Sequence, residues 1–467
     1  MNRLKILLVK PYMQTDEIQP PLGLGFLAST VRKYHDIEIL DCIKLKLPLE
    51  KFKEHVKGRK YDVFGFQAYT FDLDRVKAHA DAVKELFPDA RIFVGGPQPT
   101  LAPRDTLEFL KQVDFGFNGE AEAGFPRLME LVANNEHANV EKLKDIPGLI
   151  YRNNGEIVTS MRGVYQNLDE LDPCYDLFDL KSYPLAPHGA FCKQKPVAPI
   201  ILTRGCPFKC KFCGAPGISG RMMRTHSAQW AVSQIENLVK NYGIREIHIE
   251  DDNLTSAKKF TREFCQLLID RNLGISWTCP NGMRMDTLDD ELVALMKKSG
   301  LYAVSIAIES ASDITRANMA KDLKTETIKE KVAMLRRHGL EIIAFFIIGY
   351  PGESKQDIED TIEFACSLDL KRATFSAFKP FPGTPVYDEL VARGEMKPIT
   401  DWSVFSLNKI AWTPQGITEN ELRNYRRKAL IKFYLRPKIM MKMLSEVKNL
   451  EHSFYIMRRM VRWLALS

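Results

Sequence analysis

Two blocks of short apolar runs alternating with helical patterns constrain this chain more than any other feature. In the first block, residues 5–9, 37–40, 63–66, 91–94 and 114–117 read as strands, and residues 22–35, 72–86, 103–110 and 124–133 read as helices. Such alternation is the pattern of a parallel sheet covered on both faces, so residues 1–150 are expected to form a doubly wound α/β domain. Ligands of such sheets sit outside the carboxyl ends of the strands, where residues 67–70, 95–100 and 118–124 would converge. Residues 151–195 contain Asn153-Asn154-Gly155, a hairpin turn, then Pro173, Pro184 and Pro187, and read as a connector with few regular elements. The second block predicts strands at 200–203, 244–250, 275–278, 303–308, 342–348 and 373–378, separated by five helical segments. Six β/α units predict a partial (β/α)6 barrel over residues 196–395, followed by a helical C-terminal region, 396–467, with a break at Pro437. A chain of 467 residues accommodates this as two or three domains.

The longest strongly apolar stretch, residues 342–350, falls well short of the ~20 residues that a membrane-spanning helix needs. The N-terminus reads as a first strand rather than a signal peptide, so a cytoplasmic location is expected. Nine cysteines, an odd number, argue against a disulfide framework and for metal or chemistry. The net charge of +7 is unevenly distributed: residues 421–467 carry twelve basic and three acidic residues, +9, which leaves −2 for the first 420. In that tail Lys428, Lys432, Arg436, Lys442, Lys448, Arg458, Arg459 and Arg462 are interleaved with methionines and aromatics. The pattern suits a basic helix on an anionic membrane surface at the inner face of the membrane or near an acidic substrate, and equally a solvated helix packed on the barrel. No nucleic-acid recognition module is found.

Directly after the first strand of the second block comes Thr203-Arg-Gly-Cys206-Pro-Phe-Lys-Cys210-Lys-Phe-Cys213, a C-x3-C-x2-C loop. Three thiolates on one short loop can hold three irons of a 4Fe–4S cube and leave the fourth iron open. The competing reading is a zinc site, which wants four closed ligands, with Cys192 and His226 as completing candidates. Cys42, Cys174, Cys265, Cys279 and Cys366 read as ordinary thiols.

With Phe212 before its last cysteine, this loop resembles the signature of the radical S-adenosylmethionine superfamily, and residues 249–255, 281–286, 308–310, 347–353 and 381–385 agree with that resemblance. It implies an iron–sulfur cluster whose open iron chelates S-adenosylmethionine, and a reducing electron donor of flavodoxin or ferredoxin type. One electron then generates an adenosyl radical, while the protein supplies orientation and excludes water. The resemblance further implies that Asp251 and Asp252 accept from the amino group, Arg284 faces the carboxylate, and Glu309 binds ribose. Gly349, Pro351, Gly352 and Glu353 would form the loop approaching adenine, with Phe212 beside it. From the residues alone, the acids can instead cap helices and Arg284 can pair with Asp286. The usual Ser-Gly after the glutamate is Ser310-Ala311 in this chain.

In the first block Gly23, Gly25 and Ala28 match G-x-G-x-x-A, a dinucleotide fingerprint, but thirteen residues separate them from the first strand, so the tight phosphate turn is missing. The stretches PPLGLGFLAS, YDVFGFQAYT, VGGPQPT and NGEAEAGF resemble instead the cobalamin-binding domain that precedes the radical domain in a large subgroup. That resemblance places Tyr69, Thr70, Gly95, Gly96, Pro97, Gln98, Thr100, Gly119, Glu120 and Glu122 beside the corrin. The D-x-H-x-x-G motif with its cobalt-ligating histidine is absent, and the first histidine is His35, on a helical pattern. A corrin-free domain that buttresses the barrel stays open. The function implied is C-methylation of an unactivated carbon on a hydrophobic or amphipathic substrate, such as a tetrapyrrole pigment or an isoprenoid or hopanoid lipid. Oxidative cyclisation or dehydrogenation of a similar substrate is the second reading, and a non-catalytic protein with a structural metal the third.

Overall fold

The computed structural model describes residues 2–15, 17–184, 192–406 and 409–445. Strands β1 (Lys5–Lys10), β2 (Asp36–Asp41), β3 (Val63–Gln67), β4 (Arg91–Gly95), β5 (Phe115–Phe117), β6 (Leu149–Asn153) and β7 (Glu156–Thr159) form one sheet in the order β2-β1-β3-β4-β5-β6-β7. The first five are parallel. Alternation sends Ile6 and Leu8 to one core and Leu7 and Val9 to the other, and all four are fully buried. Helices Leu22–Ser29 and Phe125–Ala133 cover the first face, and helices Leu73–Leu86 and Pro103–Phe109 the second. Burial on both faces is why these strands read as continuous apolar runs. From β1 the chain goes outward to β2, then returns to β3 on the other side, which puts the ligand crevice at the carboxyl ends of β1 and β3.

Two features differ from the sequence expectation. The turn at Asn154 and Gly155, with φ of 49° and 85°, joins β6 to β7 as an antiparallel hairpin added to β5. The sheet therefore runs to Thr159, past residue 150. A short helix, Leu49–Val56, also lies between β2 and β3.

The second sheet contains β8 (Val197–Ile200), β11 (Glu246–Ile249), β12 (Ser276–Met283), β13 (Leu301–Glu309), β14 (Glu341–Ile348) and β15 (Arg372–Ala377). All six are parallel and adjacent in chain order, with β8 and β15 at the edges. This is the wall of the expected partial barrel. β8 begins three residues before its expected start and includes Pro199, whose missing N–H an edge strand tolerates. A small antiparallel pair, β9 (Thr203–Arg204) with β10 (Arg224–Thr225), sits above β8 and closes the cysteine loop. Trp277, Phe264, Phe346 and Phe375 fill the core of this half.

After β15 the chain returns to the first domain, where Trp402 and Phe405 enter its core, then forms helix Glu419–Tyr434. Thr418 and Glu421 cap that helix reciprocally. Two of its basic residues reach barrel carboxylates, Lys428 pairing with Glu359 and Lys432 with Glu363, while in the next helix, Pro437–Ser445, Lys438 and Lys442 reach Asp369. The described part of the basic tail is thus a helix packed on the barrel; Lys448, Arg458, Arg459 and Arg462 lie outside the described residues. Among the described residues no helix is long and apolar enough to cross a membrane.

Candidate active site

The cysteine loop is held from three sides. Gly205 turns with a φ of +103°, where a Cβ would stand 2.2 Å from the Met222 carbonyl, and the Cys206 N–H donates to the Gly220 carbonyl at 2.9 Å. Across the mouth of the barrel, the Lys211 N–H donates to the Met319 carbonyl at 2.9 Å, the Lys211 carbonyl accepts from the Val386 N–H at 3.1 Å, and the Lys211 ammonium pairs with Glu389 at 2.7 Å. The loop thus leaves one edge strand and is tied to the helix that follows the other. Phe212 packs edge-on against Tyr350, in a cluster with Met319, Phe378 and Leu390. The third side is Arg284: its guanidinium lies 3.9 Å from the centre of the Phe208 ring, pairs with Asp286 at 2.7 Å and donates to the Cys210 sulfur at 3.5 Å.

Cys206, Cys210 and Cys213 are free, half-buried thiols whose charges act on one another. Burial pushes the Cys213 thiol up to about 12. Among the described residues no three His, Cys, Asp or Glu side chains surround a single point. The donor set fits a cluster, in which each thiolate binds a different iron and the sulfurs stand further apart than around one ion.

The two acids at the end of β11 differ. Asp251 is buried, and its carboxylate accepts from the Leu202 N–H at 2.7 Å and the Thr203 hydroxyl at 2.8 Å, which fixes the start of the cysteine loop. Asp252 is exposed, and its charge acts on Cys206 and Cys213. A bulge at residues 280–282 breaks the β12–β13 register and lifts Arg284 over the mouth. Glu309 ends β13 with a φ of +72° and pairs with buried Lys321 at 2.8 Å. Glu353 accepts from the N–H groups of Gly349 at 2.7 Å and Tyr350 at 3.1 Å, and from the Ser310 hydroxyl at 3.3 Å. Burial nevertheless pushes its carboxyl up to about 7. At Gly349 a Cβ would meet Leu422 of the C-terminal helix at 2.8 Å; Pro351 and Gly352 stand less enclosed in the same loop.

The carboxyl edge of the first sheet faces this mouth. Gly96 has a φ of +105°, and a Cβ there would stand 3.0 Å from the Ala68 carbonyl, whereas above Gly95 the space is open. The Thr100 hydroxyl donates to the Gly96 carbonyl and accepts from the Gly119 N–H at 3.0 Å, tying two strand-end loops together. Tyr69 and Pro97 are half-buried on this edge, Thr70 is buried, and Gln98 points inward to Thr106. Burial, with Asp72 and Glu250 of the barrel, pushes the Tyr69 phenol up to about 12. An open, glycine-lined edge fits a flat macrocycle. His35 lies at the far, amino end of β1, where its Nδ1 accepts from the Leu4 N–H. Gly25 belongs to no phosphate turn, since a Cβ there would stand 2.0 Å from the Pro173 carbonyl of the connector.

Glu120 and Glu122 take partners that sequence reading did not anticipate. Arg224 binds Glu120 through two hydrogen bonds of 2.6 and 2.8 Å, and Arg204 binds Glu122 at 2.8 Å and approaches Glu120 at 3.6 Å. These four largely buried side chains join the first domain to the β9–β10 pair, two residues before Cys206. Arg162 donates to the carbonyls of Gly217 and Ile218, and Leu101 packs against Gly214, Gly217 and Gly383. Of these, only Arg204 carried a local signal, by its place in Arg-Gly-Cys.

Comparison with known proteins agrees with this geometry. Residues 200–365 match the radical SAM superfamily model and residues 14–129 the B12 binding domain model. An uncharacterized methyltransferase of Pyrococcus horikoshii is 30% identical over 99% of this chain and 98% of its own length. The anaerobic magnesium-protoporphyrin IX monomethyl ester cyclase of Cereibacter sphaeroides is 27% identical over 89% of this chain and 67% of its own. Among solved structures, the radical S-adenosylmethionine methyltransferase TsrM of Kitasatospora setae, with cobalamin and a 4Fe–4S cluster bound, superposes with a TM-score of 0.71 at 15% identity, covering 94% of this chain and 90% of that one. The chain belongs to the cobalamin-binding radical S-adenosylmethionine enzymes.

Proposed function

We propose that this enzyme transfers a methyl group to an unactivated carbon of a large hydrophobic or amphipathic substrate, a tetrapyrrole pigment or an isoprenoid-type lipid. The observation that carries this reading is that the carboxyl edges of the two sheets meet across the cysteine loop: Leu101 lies against Gly214 and Gly217, just after Cys213, and the charge of Glu250 acts on Tyr69. When bound, the cluster and S-adenosylmethionine supply a hydrogen-abstracting radical source, and cobalamin a methyl donor. Both would open onto one cavity, as radical methylation of a single carbon requires.

Cys206, Cys210 and Cys213 would hold the cluster. Asp252 suits the cationic amino group, and Arg284, braced by Asp286 and Phe208, suits the carboxylate. Glu309, oriented by Lys321, would bind the ribose, and Glu353, which holds the Gly349–Tyr350 turn, would shape it for adenine. Asp251 holds the loop rather than the ligand. On the other side, Tyr69, Thr70, Gly95, Gly96, Pro97, Thr100 and Gly119 would form the corrin bed, Gln98 supports it from beneath, and Glu120 and Glu122 fasten that bed to the loop. A flavodoxin- or ferredoxin-type reductant would supply the electron, and contact with a membrane surface would fall to the basic tail.

The cyclase relative favours a second reading, oxidative ring closure on a similar pigment. Anaerobic turnover with methyl-labelled S-adenosylmethionine and candidate tetrapyrroles and isoprenoid lipids separates the two. Labelled methyl in the product supports transfer. Release of 5′-deoxyadenosine with an unlabelled, oxidised product would establish cyclisation and overturn it.

A further inference from the structure

Lys379 and Arg426 stand apart from the other paired cations of the C-terminal region. Lys379 follows Phe378, which packs on Tyr350 at 5.0 Å between centroids and belongs to the cluster around Phe212. It therefore lies at the carboxyl end of β15, on the rim of the mouth. Its ammonium donates to the carbonyls of Phe405 and Ser406 at 3.1 and 2.6 Å, in the segment whose Trp402 and Phe405 enter the first domain's core. Lys379 thus sits where the first domain and the barrel mouth adjoin.

Arg426 reaches the same level from the helix Glu419–Tyr434, which runs antiparallel to β15. Leu422 lies over Gly349 at the mouth, and the Tyr434 hydroxyl donates to the Ala373 carbonyl near the start of β15, at 2.9 Å. From Tyr434 back to Arg426 the helix rises about 12 Å, and from Ala373 to Ala377 the strand rises about 13 Å, so Arg426 stands level with the end of β15. Its Nε is buried and has no hydrogen-bond partner among the described residues. Among the described residues no carboxylate acts on either cation: burial and Arg423 act on Arg426, and burial and Arg426 act on Lys379, whose ammonium falls to about 8. Two cations at one level whose charges act on each other, one with a buried orphan donor, are costly unless an anion completes them.

We propose that Lys379 and Arg426 form an oxyanion subsite at the rim of the barrel mouth, and that it receives a carboxylate or phosphate group of the substrate. The proposal rests on the mouth being the substrate cavity, and it narrows the substrate to an amphipathic molecule with an anionic arm. The methionine carboxylate of S-adenosylmethionine is the other source of the same chemistry.

Binding of inorganic pyrophosphate to the full chain, followed by calorimetry and by thermal stabilisation at matched ionic strength, tests it without turnover. The wild type is expected to bind, and K379Q and R426Q to bind at least ~10-fold more weakly, each having lost a charge-assisted contact. Pyrophosphate and S-adenosylmethionine are expected to bind additively. Equal binding by wild type and both variants, or none by the wild type, would overturn the subsite. Displacement of pyrophosphate by S-adenosylmethionine would assign the site to the cofactor and overturn the substrate assignment. Should R426Q fail to fold, K379Q and R426K carry the test, with R426K expected to retain most of the binding. Failure of methyl transfer with pyrophosphate binding intact would count against the methylation reading and not against the subsite.

Discussion

Glu309 shows what a single position in this site demands. A non-glycine residue with a φ of +72° at the end of a buried strand carries a backbone cost of about 1–3 kcal/mol, and such residues cluster at ligand sites. Lys321 compensates the buried charge, so K321M, which leaves Glu309 unpaired, should destabilise the fold by about 3–5 kcal/mol in denaturant unfolding, and K321M/E309Q by less. Glu353 makes a pH prediction. Its carboxyl is pushed up from an ordinary 4.5 to about 7, so between those values the folded chain keeps a proton that the unfolded chain has lost. The contribution is full below about 4.5 and is lost as pH rises through 7. Melting temperature measured from pH 5 to 8 should fall more steeply in the wild type than in E353Q; parallel curves would show that Glu353 does not titrate there. C210A should abolish the cluster's visible absorbance and all turnover, and retained turnover would contradict the cluster assignment.

Among the elements, the β9–β10 pair has the clearest mechanical role. Arg204 and Arg224 carry the ends of the cysteine loop onto Glu120 and Glu122 of the first domain. E120A strands Arg224 with its charge largely buried, so a loss on the order of 3–5 kcal/mol is expected, with faster hydrogen exchange in residues 203–225. Unchanged exchange there would mean that the ion pairs do not hold the loop. The strands themselves were legible in the sequence because parallel strands buried on both faces leave unbroken apolar runs, as at Leu7–Val9 against Ile6–Leu8. The cysteine loop was legible for a chemical reason, since three thiols at fixed spacing have few uses. The hairpin's union with the first sheet was not legible, because β5–β6 pairing has no signature in either strand. Nor were the partners of Glu120 and Glu122, which stand 104 and 82 residues away in the chain. Asp251 and Asp252 show the same limit: adjacent acids on one strand end, of which burial made one a brace and left the other open.

At the scale of the whole molecule, two parallel sheets turn their carboxyl ends toward each other, and the C-terminal region binds both, through Trp402 and Phe405 on one side and Leu422 on the other. The +9 tail, an apparent partner surface in the sequence, has four lysines of its described part, Lys428, Lys432, Lys438 and Lys442, countered by Glu359, Glu363 and Asp369 of the barrel. The central claim is that one chain holds an iron–sulfur cluster and a corrin on facing edges. Anaerobic purification with cobalamin supplied, followed by iron, cobalt and corrin analysis, tests it most directly. The expected result is about four irons and one corrin per chain, with C206A/C210A/C213A losing the iron and keeping the corrin. A full cluster with no bound corrin would contradict the account.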